Sequence, residues 1–334
     1  MTPSIPRRDV LRLAAAGAAV LAGAAHAQAQ AQAQSDWPTR PVTMIVPFPA
    51  GGGTDAFARP LSAQFTRLVG QTLVVDNRGG AGGTVGASVA AKAHPDGYTL
   101  FMGAVHHAIA PSIYPRLDYD LEKDFVPLML LANVPQVVVV NPRRVSAAKL
   151  QEFVAMAKRN PGKLHYASAG AGTSHHLAGE LFKLQTGTFI THIPYRGAGP
   201  ALQDLIAGNV DVMFDGLGSS AQHIKAGRIK ALMVSGTRRN PAFPDVPSAA
   251  EAGLPDYTVT TWYGLWAPKG MSADVQARAV DDIRRALATD DLKSIWASNG
   301  SEIPSLAGAA YGAFVNAEIK RWAMVVRESG AKLE

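Results

Sequence analysis

Short β-branched runs alternate with helical segments along most of this 334-residue chain, and that alternation leaves few folds open. Val42–Phe48 is an apolar run of strand length, broken by Gly51–Thr54. From Asp55 onward Phe57, Leu61, Phe65 and Leu68 recur at helical spacing. The pairing repeats: Leu73–Asp76 precedes Thr84–Ala93, His165–Ala169 precedes Ser174–Leu184, Ile190–Pro194 precedes Gly199–Ala207, and Val210–Phe214 precedes Ser219–Ala226. Strand then helix, repeated, predicts an α/β protein with largely parallel sheets, because parallel neighbours need a crossover long enough to hold a helix. Thr99–Gly103, Val137–Asn141, Ala231–Ser235 and the β-rich run Thr258–Trp266 add strands; Ala147–Lys158, Ala273–Ala288 and Ala307–Glu328 add helices.

The first 27 residues read as an export signal rather than as part of the fold. Arg7, Arg8 and Arg12 precede a small-residue apolar stretch over 13–25, shorter than the roughly 20 residues that span a bilayer. Ala25-His26-Ala27 supplies small residues before a cleavage point. Arg7-Arg8-Asp9-Val10-Leu11 also fits a twin-arginine signal, so both export routes stay open. Residues 28–36 read as a disordered leader. The chain has no cysteine, which removes disulfides, thiolate metal sites and thiol nucleophiles. Its net charge of +6 would suit nucleic acid, but Lys and Arg never run longer than two, so no nucleic-acid partner is expected.

Three strand-to-helix turns carry the chemistry: Pro47–Asp55, Asn77–Thr84 and Ser168–Ser174. Their glycines allow positive φ and close backbone approach. The helix starts behind them offer free N–H groups and a positive dipole end, which suit a carboxylate or a phosphate. In open α/β sheets such turns lie where ligands bind. No phosphate-loop pattern is present, Val85 stands where a dinucleotide loop needs its last glycine, and Tyr166 stands where a hydrolase elbow around Ser168 needs its first. No cofactor and no catalytic residue are therefore expected. The pairs His106-His107 and His175-His176, with Glu180 four residues after His176, offer too few convergent ligands for a metal. Asp215 ends a strand, where it faces a cleft or caps the next turn. Trp262, Tyr263 and Trp266 line a crevice or fill a core; Arg196 pairs with an anion or clamps its own loop.

Taken in order, Trp37–Pro41 (WPTRP), Val46–Asp55 (VPFPAGGGTD), Asn77–Gly83 (NRGGAGG), Tyr166–Gly170 (YASAG), His176–Phe182 (HLAGELF), His192–Gly197 (HIPYRG), Asp211–Asp215 (DVMFD) and Trp266–Gly270 (WAPKG) form a specific set. From about Trp37 to Gly330 the chain resembles the Bug/TctC solute receptors of bacterial tripartite tricarboxylate transporters. The resemblance implies a periplasmic binding protein of type II-like topology, with two lobes and a ligand cleft between them. It implies chain crossings near Val137 and Thr258, hence one lobe of residues 37–137 plus 259–334 and a second of 138–258. It also implies a monomer that closes by hinge motion around a small organic carboxylate and delivers it to the transporter's membrane subunits. Ligand or bridging-water contacts are implied at Phe48, Gly52, Thr54 and Asp55, at Ala81 and Gly82, and at Gly172, Thr173 and Ser174, with Asp215 as the acidic position near the cleft. One departure stands out: Ala104-Val105-His106-His107 replaces the family's Ser or Thr. His106 is therefore added as a specificity group, a titratable ring suited to a second carboxylate or an aromatic acid. Two function classes remain: a receptor for transport or sensing, and a secreted α/β enzyme acting on a carboxylated substrate.

Overall fold

The computed structural model describes residues 37–329; the expected export signal and leader lie outside them. Its strands are β1 (Val42–Val46), β2 (Leu73–Asn77), β3 (Thr99–Ala104), β4 (Phe125–Val140), β5 (His165–Ser168), β6 (Thr191–Pro194), β7 (Val212–Gly216), β8 (Lys230–Val234) and β9 (Thr260–Pro268). Its helices are α1 (Gly53–Val69), α2 (Thr84–Ala91), α3 (Val105–Ile113), α4 (Leu150–Arg159), α5 (Ser174–Thr186), α6 (Ala198–Ala207), α7 (Leu217–Lys225), α8 (Ala273–Leu287), α9 (Asp290–Ser298) and α10 (Gly308–Ser329).

The expected α/β class holds, and the chain forms two lobes. In the first, β1 pairs in parallel with β2 and β3, and β9 runs antiparallel to β3. In the second, β5 pairs in parallel with β6 and β7. One strand belongs to both. Phe125–Pro135 of β4 pairs with β9, whereas Gln136–Val140 lies between β7 and β8. The sequence reading found only the end of this 16-residue strand. Pro127 and Pro135 interrupt its pattern, and proline cannot donate to a ladder. The parallel strands end at their helix-starting turns, so the glycine turns of each lobe gather on one edge of its sheet.

Trp262 and Trp266, left open as crevice or core, are core: each is 1% exposed. Both pack on Tyr311 of α10, and the indole N–H groups of Trp262 and Trp322 donate to Glu318 at 2.8 and 3.1 Å. Tyr263 packs on Phe57 of α1 with ring centroids 4.9 Å apart. Burying each such ring contributes about 1.5–3 kcal/mol, and the buried indole N–H groups need the partners that Glu318 supplies.

Candidate functional site

Turns from the two lobes line an open cavity of about 240 Å³. Phe48, Ala81, Gly82 and Tyr114 wall it from the first lobe; Ala171 and Arg196 wall it from the second. Of the residues expected at the site, Phe48, Ala81 and Gly82 thus lie in the wall itself. Ala81 holds a φ of 44°, a left-handed conformation that costs about 1–2 kcal/mol for a residue with a Cβ. Tyr114 was not expected from the sequence: it sits beyond α3, a helix whose residues Val105–Ala110 are all buried and which therefore shows no polar stripe. Arg196 is exposed and, among the described residues, forms no ion pair.

In the first turn Gly52 is the N-cap of α1 and forms no capping bond, so the leading N–H groups of the helix stay open. Gly197 caps α6 in the same way, with φ of 128°. These two helix starts meet across the cleft. A Cβ added at Gly199 would stand 2.8 Å from the carbonyl oxygen of Ala50, and one at Gly52 would stand 3.5 Å from the nitrogen of Gly199. Thr54 is buried on α1 beside them. Asp55 is bonded through both of its oxygens. Its Oδ2 accepts from the Gly51 N–H at 3.0 Å and from Arg59 Nε at 2.8 Å, and its Oδ1 accepts from Asn77 Nδ2 at 3.1 Å. The same Asn77 amide donates to the Phe48 carbonyl. Both oxygens of Asp55 are therefore engaged in holding the turn to α1 and β2.

The third turn spends two of its N–H groups on histidines. Gly172 donates to His176 Nδ1 at 3.2 Å, Thr173 to the Gly170 carbonyl, and Ser174 to His106 Nδ1 at 3.0 Å. The last bond joins the two lobes behind the cavity wall, and Phe48 meets the His106 ring edge-on at 5.2 Å. Because Nδ1 accepts, the proton of His106 sits on Nε2, which is left to donate. Burial, with His175 and His107 close by, pushes His106 well below the ordinary histidine range. Of the two forms open to a histidine here, the buried site favours the neutral ring, with Nε2–H as its donor. Asp215 lies beneath the cavity, fully buried. Its Oδ2 accepts from Ser219 and Ser220 at 2.7 and 2.6 Å, and its Oδ1 stands 3.7 Å from His175 Nδ1. It ties the side chains of the first turn of α7 to the end of β7, while Oδ1 has no hydrogen-bond partner.

Ser168 Oγ lies 2.7 Å from His192 Nε2, a separation that invites comparison with a nucleophile and its base. The arrangement does not support that chemistry. His192 Nδ1 has no hydrogen-bond partner, so no carboxylate or carbonyl fixes its tautomer, and burial pushes its pKa down to about 3. The ring is stacked on His176 at 4.1 Å and on Tyr166 at 4.8 Å, and Ser168 is fully buried. Among the described residues no group of three or more His, Asp or Glu could hold a metal. No described helix is long and apolar enough to cross a membrane.

Residues 57–331 match the tripartite tricarboxylate transporter family receptor model, TctC. Among solved structures, the chain is similar to the periplasmic binding protein BugD, with 34% identity, a TM-score of 0.86, and 89% of this chain and 100% of that one covered. It is similar to Rpa4515 of R. palustris with adipate, at 34% identity and a TM-score of 0.84 over 89% of this chain and 100% of that one. It is also similar to MatC of Rhodopseudomonas palustris with bound malate, at 35% identity and a TM-score of 0.82 over 87% of this chain and 100% of that one. The two-lobed fold, the glycine turns and a match over most of the chain agree: the chain belongs to the tripartite tricarboxylate transporter receptors, the TctC or Bug family of solute-binding proteins.

Proposed function

We propose that this protein is exported by the signal over residues 1–27, acts in the periplasm as a monomer, and captures a small dicarboxylate for the membrane subunits of a tripartite transporter. The observation that carries the choice of solute is the charge of the cavity wall: among its lining residues Arg196 is the charged one, and it is a cation without an ion-pair partner. Two uncapped helix starts add positive potential at the same cleft. A cavity of about 240 Å³ is far above the roughly 10–15 Å³ that a single water needs, and leaves room for a small organic acid. The similar structures with malate and adipate hold acids of this class.

In this reading the lobes divide at residues 37–137 plus 259–334 and 138–258, and they close around the solute. Phe48, Ala81 and Gly82 touch it, and the N–H groups near Gly52 and Thr54 face one carboxylate. His106 Nε2 and Arg196 meet the other end. Gly172, Thr173 and Ser174 shape the wall, Ser174 through its bond to His106 and the other two through bonds within their own lobe, while Asp55 and Asp215 keep the turns in place. No bond in the solute is broken, since Ser168 and His192 are sealed from the cavity. Mass spectrometry of the released solute should recover it unaltered.

Calorimetry with a panel of acids tests this. One-to-one binding of malate or adipate is the expected result, with Arg196→Gln weakening a diacid about tenfold or more and the matching monoacid much less. That ratio reflects roughly 1.5–3 kcal/mol for a hydrogen bond to a charged group. Binding only of neutral solutes such as sugars, or equal losses for both acids, would count against the dicarboxylate reading.

A further inference from the structure

We propose that Tyr114 is the latch that determines how long the closed lobes retain their solute; this rests on the solute-capture reading above. Tyr114 ends α3, and Pro115 follows it. A residue before proline is driven to extended backbone, and Tyr114 has φ −88° and ψ 122°. That conformation ends the helix and directs the ring across the cleft. The phenol O–H donates to the Ala171 carbonyl in the other lobe at 3.1 Å. Two glycines, one from each lobe, make room for it. A Cβ at Gly82 would stand 2.5 Å from the phenol oxygen, and one at Gly172 would stand 3.3 Å from the ring. Both glycines have positive φ, 61° and 75°, so the space is built into the backbone as well as into the absence of side chains.

Position separates this bond from the one between His106 and Ser174. That bond lies behind the cavity, whereas Tyr114 and Ala171 both line it. Donor and acceptor belong to different lobes, so the bond exists only in the closed form and must break before the solute leaves. Burial raises the pKa of the phenol, which keeps it a proton donor across the physiological range. The partners are rehydrated on opening, so the net gain is that of a single hydrogen bond, and its removal acts on departure rather than on encounter.

Tyr114→Phe keeps the ring and deletes the donor. Stopped-flow measurements with malate and adipate are expected to show dissociation about threefold to tenfold faster, with association nearly unchanged. A second readout does not depend on solute. The chain lacks cysteine, so two introduced cysteines, one per lobe, can be spin-labelled without background, and the inter-lobe distance distribution of the solute-free protein read directly. Tyr114→Phe should shift that distribution toward the open form. If the wild type binds acids and the variant releases them at the wild-type rate, the latch is refuted while the capture reading stands. If the wild type binds no carboxylate, the capture reading fails. The latch is then judged on the distance distributions alone: a shift supports it and identical distributions overturn it.

Discussion

Gly199→Ala is expected to leave the protein folded and to weaken solute binding by about 5- to 150-fold. Gly199 lies in the first turn of α6, where its neighbours are backbone atoms of the opposite lobe. An added methyl would stand 2.8 Å from the Ala50 oxygen and 3.3 Å from the Gly51 carbonyl carbon. Neither is the end of a flexible side chain, so neither can swing away; overpacking of this kind costs roughly 1–3 kcal/mol. The cost falls on the closed form alone, because opening the cleft separates α6 from the first turn. A ligand that needs the closed form then loses affinity by the fraction of closed protein lost. Stability should move the other way or not at all, since alanine is favoured over glycine in a helix by up to about 1 kcal/mol. Calorimetry gives the affinity and a solute-free thermal melt gives the stability. Gly52→Ala is the control at the same contact: its methyl would meet the Gly199 nitrogen at an ordinary 3.5 Å. Wild-type affinity in Gly199→Ala would show that the lobes need not approach this closely to hold a solute.

Acid should destabilise the fold steeply, and histidines are the cause. Burial pushes His107 down to about 4 and His192 down to about 3, and it lowers His106 and His175 as well. Above about pH 6.5 these rings are neutral in both the folded and the unfolded chain, and their contribution is complete. Below it the unfolded histidines take up protons that the folded ones refuse, so stability falls with pH at about 1.4 kcal/mol per unit for each ring. At pH 5, His107 and His192 together account for a loss of roughly 4 kcal/mol against pH 7.5, and His106 and His175 add to it. That is a large share of the roughly 5–15 kcal/mol of a typical domain. Urea unfolding at pH 7.5 and pH 5 measures it. His192→Gln should flatten the dependence by about one proton's worth; equal stabilities at the two pH values would show that the buried rings accept protons in place. Solute affinity, by contrast, should not follow a histidine titration near pH 6.5, because His106 already donates as a neutral ring.

What could be read beforehand was set by short-range physics. Period and turn chemistry revealed β1, β2 and the strand–helix pairs of the second lobe, and the glycines of the three turns announced backbone geometry that few other residues adopt. The first part of β4 was hidden by Pro127 and Pro135, and α3 by burial on every side. Within the site, the limit lay in partner choice. An aspartate that ends a strand or opens a helix has the same spacing whether it faces a ligand or holds its own turn, and Asp55 and Asp215 both do the latter. His106 was singled out for its residue type alone. Its bond to Ser174, 68 residues away, is a product of how the lobes meet, and so are the contacts of Tyr114 with Gly82 and Ala171.

The 16-residue strand β4 has a consequence for how the molecule unfolds. It supplies a hydrogen-bonded strand to each sheet. Neither half of the molecule can lose its own ladder without disturbing a strand that the other half pairs with, at the edge of the first sheet and in the interior of the second. A polypeptide joined instead by two loose connectors would be free to melt in two steps. Here the scan should show one endotherm, with calorimetric and van't Hoff enthalpies in agreement, and backbone amides of Val137–Val140 should exchange only on global opening. Mobility about the cleft and thermodynamic unity would then reside in the same stretch of chain, which bends between two sheets without belonging to only one.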